Sequence, residues 1–333
     1  MSDQIWATRG WSASAGRVTL TDVTRSAVLT ELVDLPGGPL RMGSDEHYLE
    51  EAPARDMVVA PFAMERHPVT NAQFAAFVAD TGYVTVAEQA LDPEAYPGAD
   101  PSLLVPGGLV FTPTPGPVPL DRWDQWWRWV PGASWRHPRG PGSDVSDDDD
   151  HPVVMVAYDD TLAYAAWAGR RLPTEPEFEF AAGAFASTEF AWGDELSPGG
   201  ELMANTWQGQ FPWRNTGANG WVGTSPVGSF PANQWGLVDL IGNVWEWTST
   251  YYVTNAEDRV RAEEIDETSC CAPRIRDLSV APGELHPRRV LKGGSHLCAP
   301  EYCRRYRPAA RSGQSVDSAT SHVGFRLVAA ASS

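Results

Sequence analysis

The sequence predicts an α+β protein: an irregular single domain, low in regular secondary structure, with a few short helices among short strands and turns. Three observations carry this. The 333 residues include 30 Gly and 28 Pro, which punctuate the chain too often for long elements. Fifteen Trp supply large, rigid side chains able to pin irregular segments. Helical periodicity between start and stop signals is confined to a few stretches, and elsewhere apolar residues alternate with turn residues.

Residues 1–34 are polar and without periodicity, and read as a variable extension; the domain itself is expected over 35–330. Its first part, to Pro68, alternates apolar and turn residues as short strands and hairpins do. Thr70 then opens a helix, with Gln73 completing a capping box, Phe74, Phe77 and Val78 on one face, and Thr81-Gly82 as the stop. Residues 92–150, rich in Pro, Gly and Asp, carry Trp123, Trp126, Trp127, Trp129 and Trp135. They read as an insertion packing indoles onto the core rather than as a linker. The run Asp147 to Asp150 reads as a solvated loop, because adjacent side chains point in different directions. Two more helices follow, one ending at Gly169 and one opening at Thr174 with Glu177 as capping partner. After residue 183 the chain returns to short strands and Gly/Asn/Pro turns.

With 25 Lys+Arg against 43 Asp+Glu the net charge is −18. That argues against sequence-independent binding to nucleic acid, which depends on neutralising phosphates. No apolar run reaches the roughly 18 residues of a membrane span. The start MSDQIWATRGWS lacks a basic region followed by an apolar one, so a cytoplasmic location is expected. A monomer is expected, since no heptads or long edge-strand patterns occur.

Four Cys are too few for a disulfide scaffold, so their spacing is read for chemistry. Cys298 and Cys303 lie in KGGSHLCAPEYCRRYRPAAR, among Ser295, Tyr302 and several Arg. The spacing is neither a Cys-x2-Cys redox motif nor half of a zinc ribbon. Converging sulfurs would form a two-coordinate soft site favouring Cu(I), and nearby Arg would favour the thiolates. Two buried or disulfide-bonded cysteines are the alternative, and spacing alone leaves it open. Cys270 and Cys271 have no ligand set around them and read as exposed, non-catalytic thiols.

The ordered blocks GGPLRMGS, HPVTNAQFAAFVADTGYVT, RLPTEPEFEFAA, FAWGDE, ANTWQGQFP, NQWGLVDLIGNVWEWTS, RVLKGGSHLC, EYCRRYRPAARS and GFRLVA closely resemble the formylglycine-generating enzyme, or sulfatase-modifying factor, family, in its bacterial form. The resemblance covers about residues 35 to 330. It implies the family's C-type-lectin-like fold. It also implies an oxidase that uses O2 and copper to convert the cysteine of a Cys-x-Pro-x-Arg motif, in an unfolded or nascent sulfatase, to Cα-formylglycine. A thiol reductant would be consumed.

By residue match, Cys298 and Cys303 are the implied Cu(I) ligands. Ser295 is the family's essential serine, Trp245 lines the oxygen pocket, and Tyr302 orients substrate or oxygen. Asp92 is the implied acidic partner of the substrate arginine. Two structural Ca2+ sites are implied as well: one at Asn205, Thr206, Asn219 and Trp221, the other at Asp239, Gly242, Val244 and Glu246. Asn219 stands where many members have Asp, which should weaken the first; Asp239 replaces a frequent Asn, which should strengthen the second. Each of these residues also has a structural reading: Ser295 as a turn residue, Trp245 and Tyr302 as core, the calcium sets as plain turns. Two other functions share the superfamily, a non-catalytic lectin-like binding module and an iron-dependent sulfoxide synthase. Retention of both Cys argues against the first, and the absence of a His-x3-His pair against the second.

Overall fold

The computed structural model describes residues 28–183, 188–264 and 272–331. Helix and strand each account for 21% of the described residues, which include five helices. Cys270 and Cys271, and residues 1–27 of the stretch read as an N-terminal extension, lie outside the described residues.

The first sheet is formed by β1 (Leu32–Leu35), β4 (Phe62–Glu65) and β13 (Val328–Ala330), with β4 central and both pairings antiparallel. The pairing of Leu32 with Glu65 places β1 in this sheet, so the expected boundary at residue 35 cuts through a strand. A hairpin of β2 (Gly38–Met42) and β3 (Arg55–Val59) lies between β1 and β4 in the chain.

Helix α1 (Asn71–Thr81) starts at Thr70 through the expected capping box and ends at Gly82 in the left-handed region. Its apolar face packs Phe74 and Phe77 against Tyr164 of α2 (Tyr158–Ala168), with ring centroids 5.9 and 5.4 Å apart. The backbone carbonyls of Asp148 and Asp149 accept hydrogen bonds from the Asn71 side chain and the Ala72 N–H. The acidic run thus meets the helix through its backbone, while three of its four residues are exposed. The Trp-rich segment forms the hairpin β5 (Gly107–Phe111) and β6 (Trp127–Pro131). Trp126 and Trp135 are fully buried, whereas Trp123 is 60% exposed and does not join the packed indoles.

Helix α3 (Glu175–Gly183) follows, capped by reciprocal hydrogen bonds between Thr174 and Glu177. A small ladder, β7 (Gly209–Gln210) with β8 (Arg214–Asn215), precedes the sheet that supports the site. That sheet has the order β11 (Arg311–Ser315), β10 (Arg288–Lys292), β9 (Trp245–Tyr251), β12 (Val323–Gly324). Between β9 and β10 lie α4 (Ala256–Glu264) and α5 (Ala272–Leu278).

All of β9 except Ser249 is buried, so both faces of the strand are covered and its polar residues Glu246, Thr248 and Thr250 lie inside with Trp245 and Trp247. Burial extends to charge. Glu175 takes Arg311 in a two-pronged pair at 2.8 Å on each arm, Lys292 reaches Glu179 at 2.8 Å, and Arg326 grips Glu246 at 2.7 and 2.8 Å. These pairs join helices and strands far apart in sequence, and each charge is matched because an unmatched one would carry its full desolvation cost.

Candidate active site

The site grows from the end of β10. Gly293 and Gly294 have φ of +90° and +74°, and a Cβ on either would lie 2.6 Å from the Leu240 carbonyl oxygen or 2.8 Å from that of Arg305. Only glycine permits this turn. It delivers Ser295, whose carbonyl accepts from the Cys298 N–H at 2.9 Å. The Ala299 carbonyl then accepts from both Tyr302 and Cys303, at 3.1 and 2.8 Å. This single turn of chain swings Cys303 back over Cys298. Their sulfurs are 2.9 Å apart, as free thiols, at 1% and 8% exposure.

The two thiols are electrostatically unequal. Hydrogen bonding from Cys298 and the positive charge of Arg305 outweigh burial at Cys303 and bring it down to about 7. Burial, reinforced by its neighbour Cys303, pushes Cys298 well up. This asymmetry favours the thiolate at Cys303 and the thiol at Cys298. Two buried, converging sulfurs with an adjacent cation match a soft monovalent metal better than a hard one, so the donor set fits copper.

The sequence announced several Arg here without showing which faces the thiols. Arg305 does; it lies over the Tyr48 ring at 4.0 Å and pairs with Glu50 at 2.6 Å. Arg304 points outward to Glu189, and Arg307 is buried against Glu51 at 2.5 and 3.0 Å. Tyr48, Glu50 and Glu51 were missed because nothing in the first strands and hairpins marks them as neighbours of a segment some 250 residues later.

Ser295 is fully buried; its N–H points to Cys298 Sγ at 3.5 Å and its hydroxyl oxygen accepts from the Leu297 N–H at 3.2 Å. Trp245 belongs to the same core cluster as both cysteines, at the start of β9. Tyr302 stacks flat on Phe211 at 4.4 Å and meets the Trp126 ring edge-on at 5.3 Å. The Trp-rich insertion thus supplies one wall beside the thiols. A cleft of about 190 Å³ opens next to it, lined in part by Trp192, Trp207, Pro300, Glu301 and Tyr306.

Asp92 lies elsewhere. It is exposed, its carboxylate accepts from the Glu94 N–H at 3.0 Å, and its loop is tied down by a hydrogen bond from Tyr96 to Asp317.

The two calcium sets differ. In the second, Asp239 and Glu246 are both buried carboxylates, burial raises both, and Arg326 pairs with Glu246. Two carboxylates in one set are oxygen donors of the kind a hard cation takes, so this set fits one. In the first set none of the four residues is charged, and Asn219 donates its amide to Asn205 Oδ1 at 2.7 Å. That set does not fit. Among the described residues no group of three or more His, Cys, Asp or Glu is placed to hold a metal.

His322 packs on the Trp127 ring at 4.7 Å with Nδ1 2.9 Å from Thr320 Oγ1, and burial lowers it to about 3. A histidine lowered in the folded state contributes stability that is complete above its unfolded value near 6.5. That stability is lost as pH falls from there toward 3, because the unfolded chain takes up the proton first. Unfolding free energy measured by urea titration is therefore expected to fall on acidification below pH 6.5, and His322→Gln should flatten part of that slope.

Residues 19–331 match the profile of the sulfatase-modifying factor enzyme 1-like domain. The chain is 62% identical over 304 residues to the formylglycine-generating enzyme of Mycobacterium tuberculosis, covering 91% of this chain and 98% of that protein. It is 41% identical to the formylglycine-generating enzyme of Thermomonospora curvata, covering 90% of this chain and 93% of that one. A Mus musculus relative at 35% identity, covering 96% of this chain and 91% of that one, is named an inactive C-alpha-formylglycine-generating enzyme 2. Among solved structures, PvdO from Pseudomonas aeruginosa superposes with a TM-score of 0.60 at 22% identity, over 91% of this chain and 95% of that one, which shows the shared fold. An irregular α+β fold, a profile spanning nearly the whole chain and relatives of this identity place the chain in the sulfatase-modifying factor family.

Proposed function

We propose that this chain is a formylglycine-generating enzyme. It would oxidise the cysteine of a Cys-x-Pro-x-Arg segment in an unfolded or nascent sulfatase to Cα-formylglycine. The observation that carries the reading is the pair of buried, converging thiols on the Gly293-Gly294 turn, since a family that includes an inactive relative does not confer activity by membership.

Cys298 and Cys303 are the proposed holders of Cu(I), which when bound supplies a soft centre for the substrate sulfur and for reduction of O2. The overall reaction balances with a thiol reductant. Peptidyl CH2–SH, O2 and two thiols give the aldehyde, hydrogen sulfide, water and a disulfide, so O2 takes four electrons, two from the cysteine and two from the reductant. Arg305, beside Cys303, favours the thiolate needed for ligation. Ser295 would donate its hydroxyl proton into the site while its oxygen stays anchored by Leu297. Trp245 and Trp126 exclude water, and Tyr302, fixed by Phe211, would orient the substrate.

Asp92 is the proposed partner of the substrate arginine. Four extended residues span about 14 Å, so this acid need not touch the thiols. Asp92→Asn should raise KM for the peptide roughly threefold to fivefold, as expected of an exposed ion pair, and leave kcat unchanged. Asp239, Gly242, Val244 and Glu246 are the proposed holders of a structural Ca2+. Cytoplasmic location and a monomeric state complete the reading.

Mass spectrometry of a Cys-x-Pro-x-Arg peptide, incubated with copper-loaded protein, O2 and a thiol reductant, tests the function. Loss of sulfur with gain of the aldehyde is expected. An unchanged peptide with copper shown to be bound would overturn the reading in favour of a binding module.

A further inference from the structure

The first of the two calcium sets joins three loops, around Asn205, around Asn219 to Ser225, and at Asn243. Its hydrogen bonds leave no freedom in how the amides are oriented. Asn243, buried at φ of +58°, accepts the Ser225 N–H on Oδ1 at 3.0 Å and donates from Nδ2 to the Ser225 carbonyl at 3.1 Å, so backbone groups fix both ends of it. The amide nitrogen of Asn205 then donates to the Gly223 carbonyl at 3.0 Å and toward Asn243 Oδ1 at 3.4 Å. This aims Asn205 Oδ1 at Asn219. Asn219 presents Nδ2 to that oxygen at 2.7 Å and toward the Thr206 carbonyl at 3.5 Å, while its Oδ1 accepts the Trp221 N–H at 3.2 Å.

We infer that in this protein the Asn219 side-chain amide replaces a calcium ion as the cross-link of these loops, and that this set binds no calcium. Two of the oxygens that a cation would draw together, Asn205 Oδ1 and the Thr206 carbonyl, instead face one N–H2 group. Turning the Asn219 amide over to offer its oxygen would forfeit the bond from Trp221 and set two acceptor oxygens against each other. A carboxylate could return to calcium the charge that would compensate this; a neutral amide cannot. The exchange bears on the active site, because the Asn243 carbonyl accepts from both the His296 N–H and its Nδ1, at 2.9 Å each, one residue from Ser295. The thiol turn is therefore tied to a charge-free amide network at this corner rather than to a dissociable ion.

Asn219→Asp is the informative change. Its carboxylate can keep the Trp221 N–H on one oxygen, but the other then opposes Asn205 Oδ1, acceptor against acceptor, unless a cation sits between them. Full-length wild type, Asn219→Asp and Asn219→Ala are stripped with EDTA and titrated with CaCl2, counting bound Ca2+ by calorimetry and recording Tm. Whatever the Asp239 and Glu246 set binds is common to all three. Asn219→Asp is expected to melt below wild type in EDTA, to recover with calcium, and to bind one Ca2+ more per chain. Asn219→Ala should bind the same number as wild type while melting lower at every calcium concentration. Should Asn219→Asp fold only in calcium, the wild-type and alanine counts still decide. One Ca2+ fewer on Asn219→Ala than on wild type, or no additional Ca2+ on Asn219→Asp, would overturn the inference.

Discussion

Cys303→Ser is expected to reduce formylglycine production by at least about three orders of magnitude, the scale of losing a group that acts as a unit with its partner. Serine is nearly isosteric and can still hydrogen-bond, so the fold should survive; the change is the loss of a sulfur that ionises near neutral pH. At Cys303 that ionisation is held at about 7 by Cys298 and Arg305, and no hydroxyl reaches it. Two measurements separate a chemical role from a structural one. Mass spectrometry of the peptide reports turnover, and titration with a Cu(I) chelator reports affinity, which should fall with activity while Tm moves little. Cys298→Ser should behave alike. Undiminished turnover in either variant would refute the assignment of the pair.

The second large effect is on stability. Glu51→Gln and Arg307→Ala are each expected to destabilise the fold by about 3–5 kcal/mol, the cost of stranding one member of a buried ion pair. Here both groups are essentially inaccessible, at 0% and 1% exposure, and joined by two hydrogen bonds. Calorimetry should register a fall in Tm of about 4–7 °C. The double variant should lose less than the sum of the two, because the second change removes the charge that the first left unpaired. Simple additivity would mean that the pair is not coupled. Arg307 follows Cys303 by four residues, so the pair also anchors the far end of the thiol turn to the loop carrying Tyr48 and Glu50. A milder loss of copper affinity should accompany the loss of stability.

The residues behind these expectations were legible to different degrees. The helix around Phe74 was readable because its cap, periodicity and stop are local, and the structure places all three where the pattern does. The cysteine pair was visible as a spacing, yet the same spacing suited a disulfide or two inert core thiols. The Asp239 and Glu246 set and the Asn205 and Asn219 set looked alike as strings of turn residues. Their difference lies in which amide atom faces which oxygen, and that depends on Asn243, Ser225 and Trp221 meeting in space.

By itself the sequence determined what local chemistry controls: the family, the irregular α+β class, the helix ends, the glycines of the turn and the two sulfurs that it presents. Tertiary structure alone decided which of three closely spaced arginines faces Cys303, which carboxylates neutralise the others, and which amide atom faces which oxygen around Asn205. The physical reason is common to all three. Caps and turns are satisfied within a few residues of chain, whereas a buried charge or amide must find its partner wherever the fold brings one. For Arg305 and Arg307 those partners, Glu50 and Glu51, lie about 255 residues away.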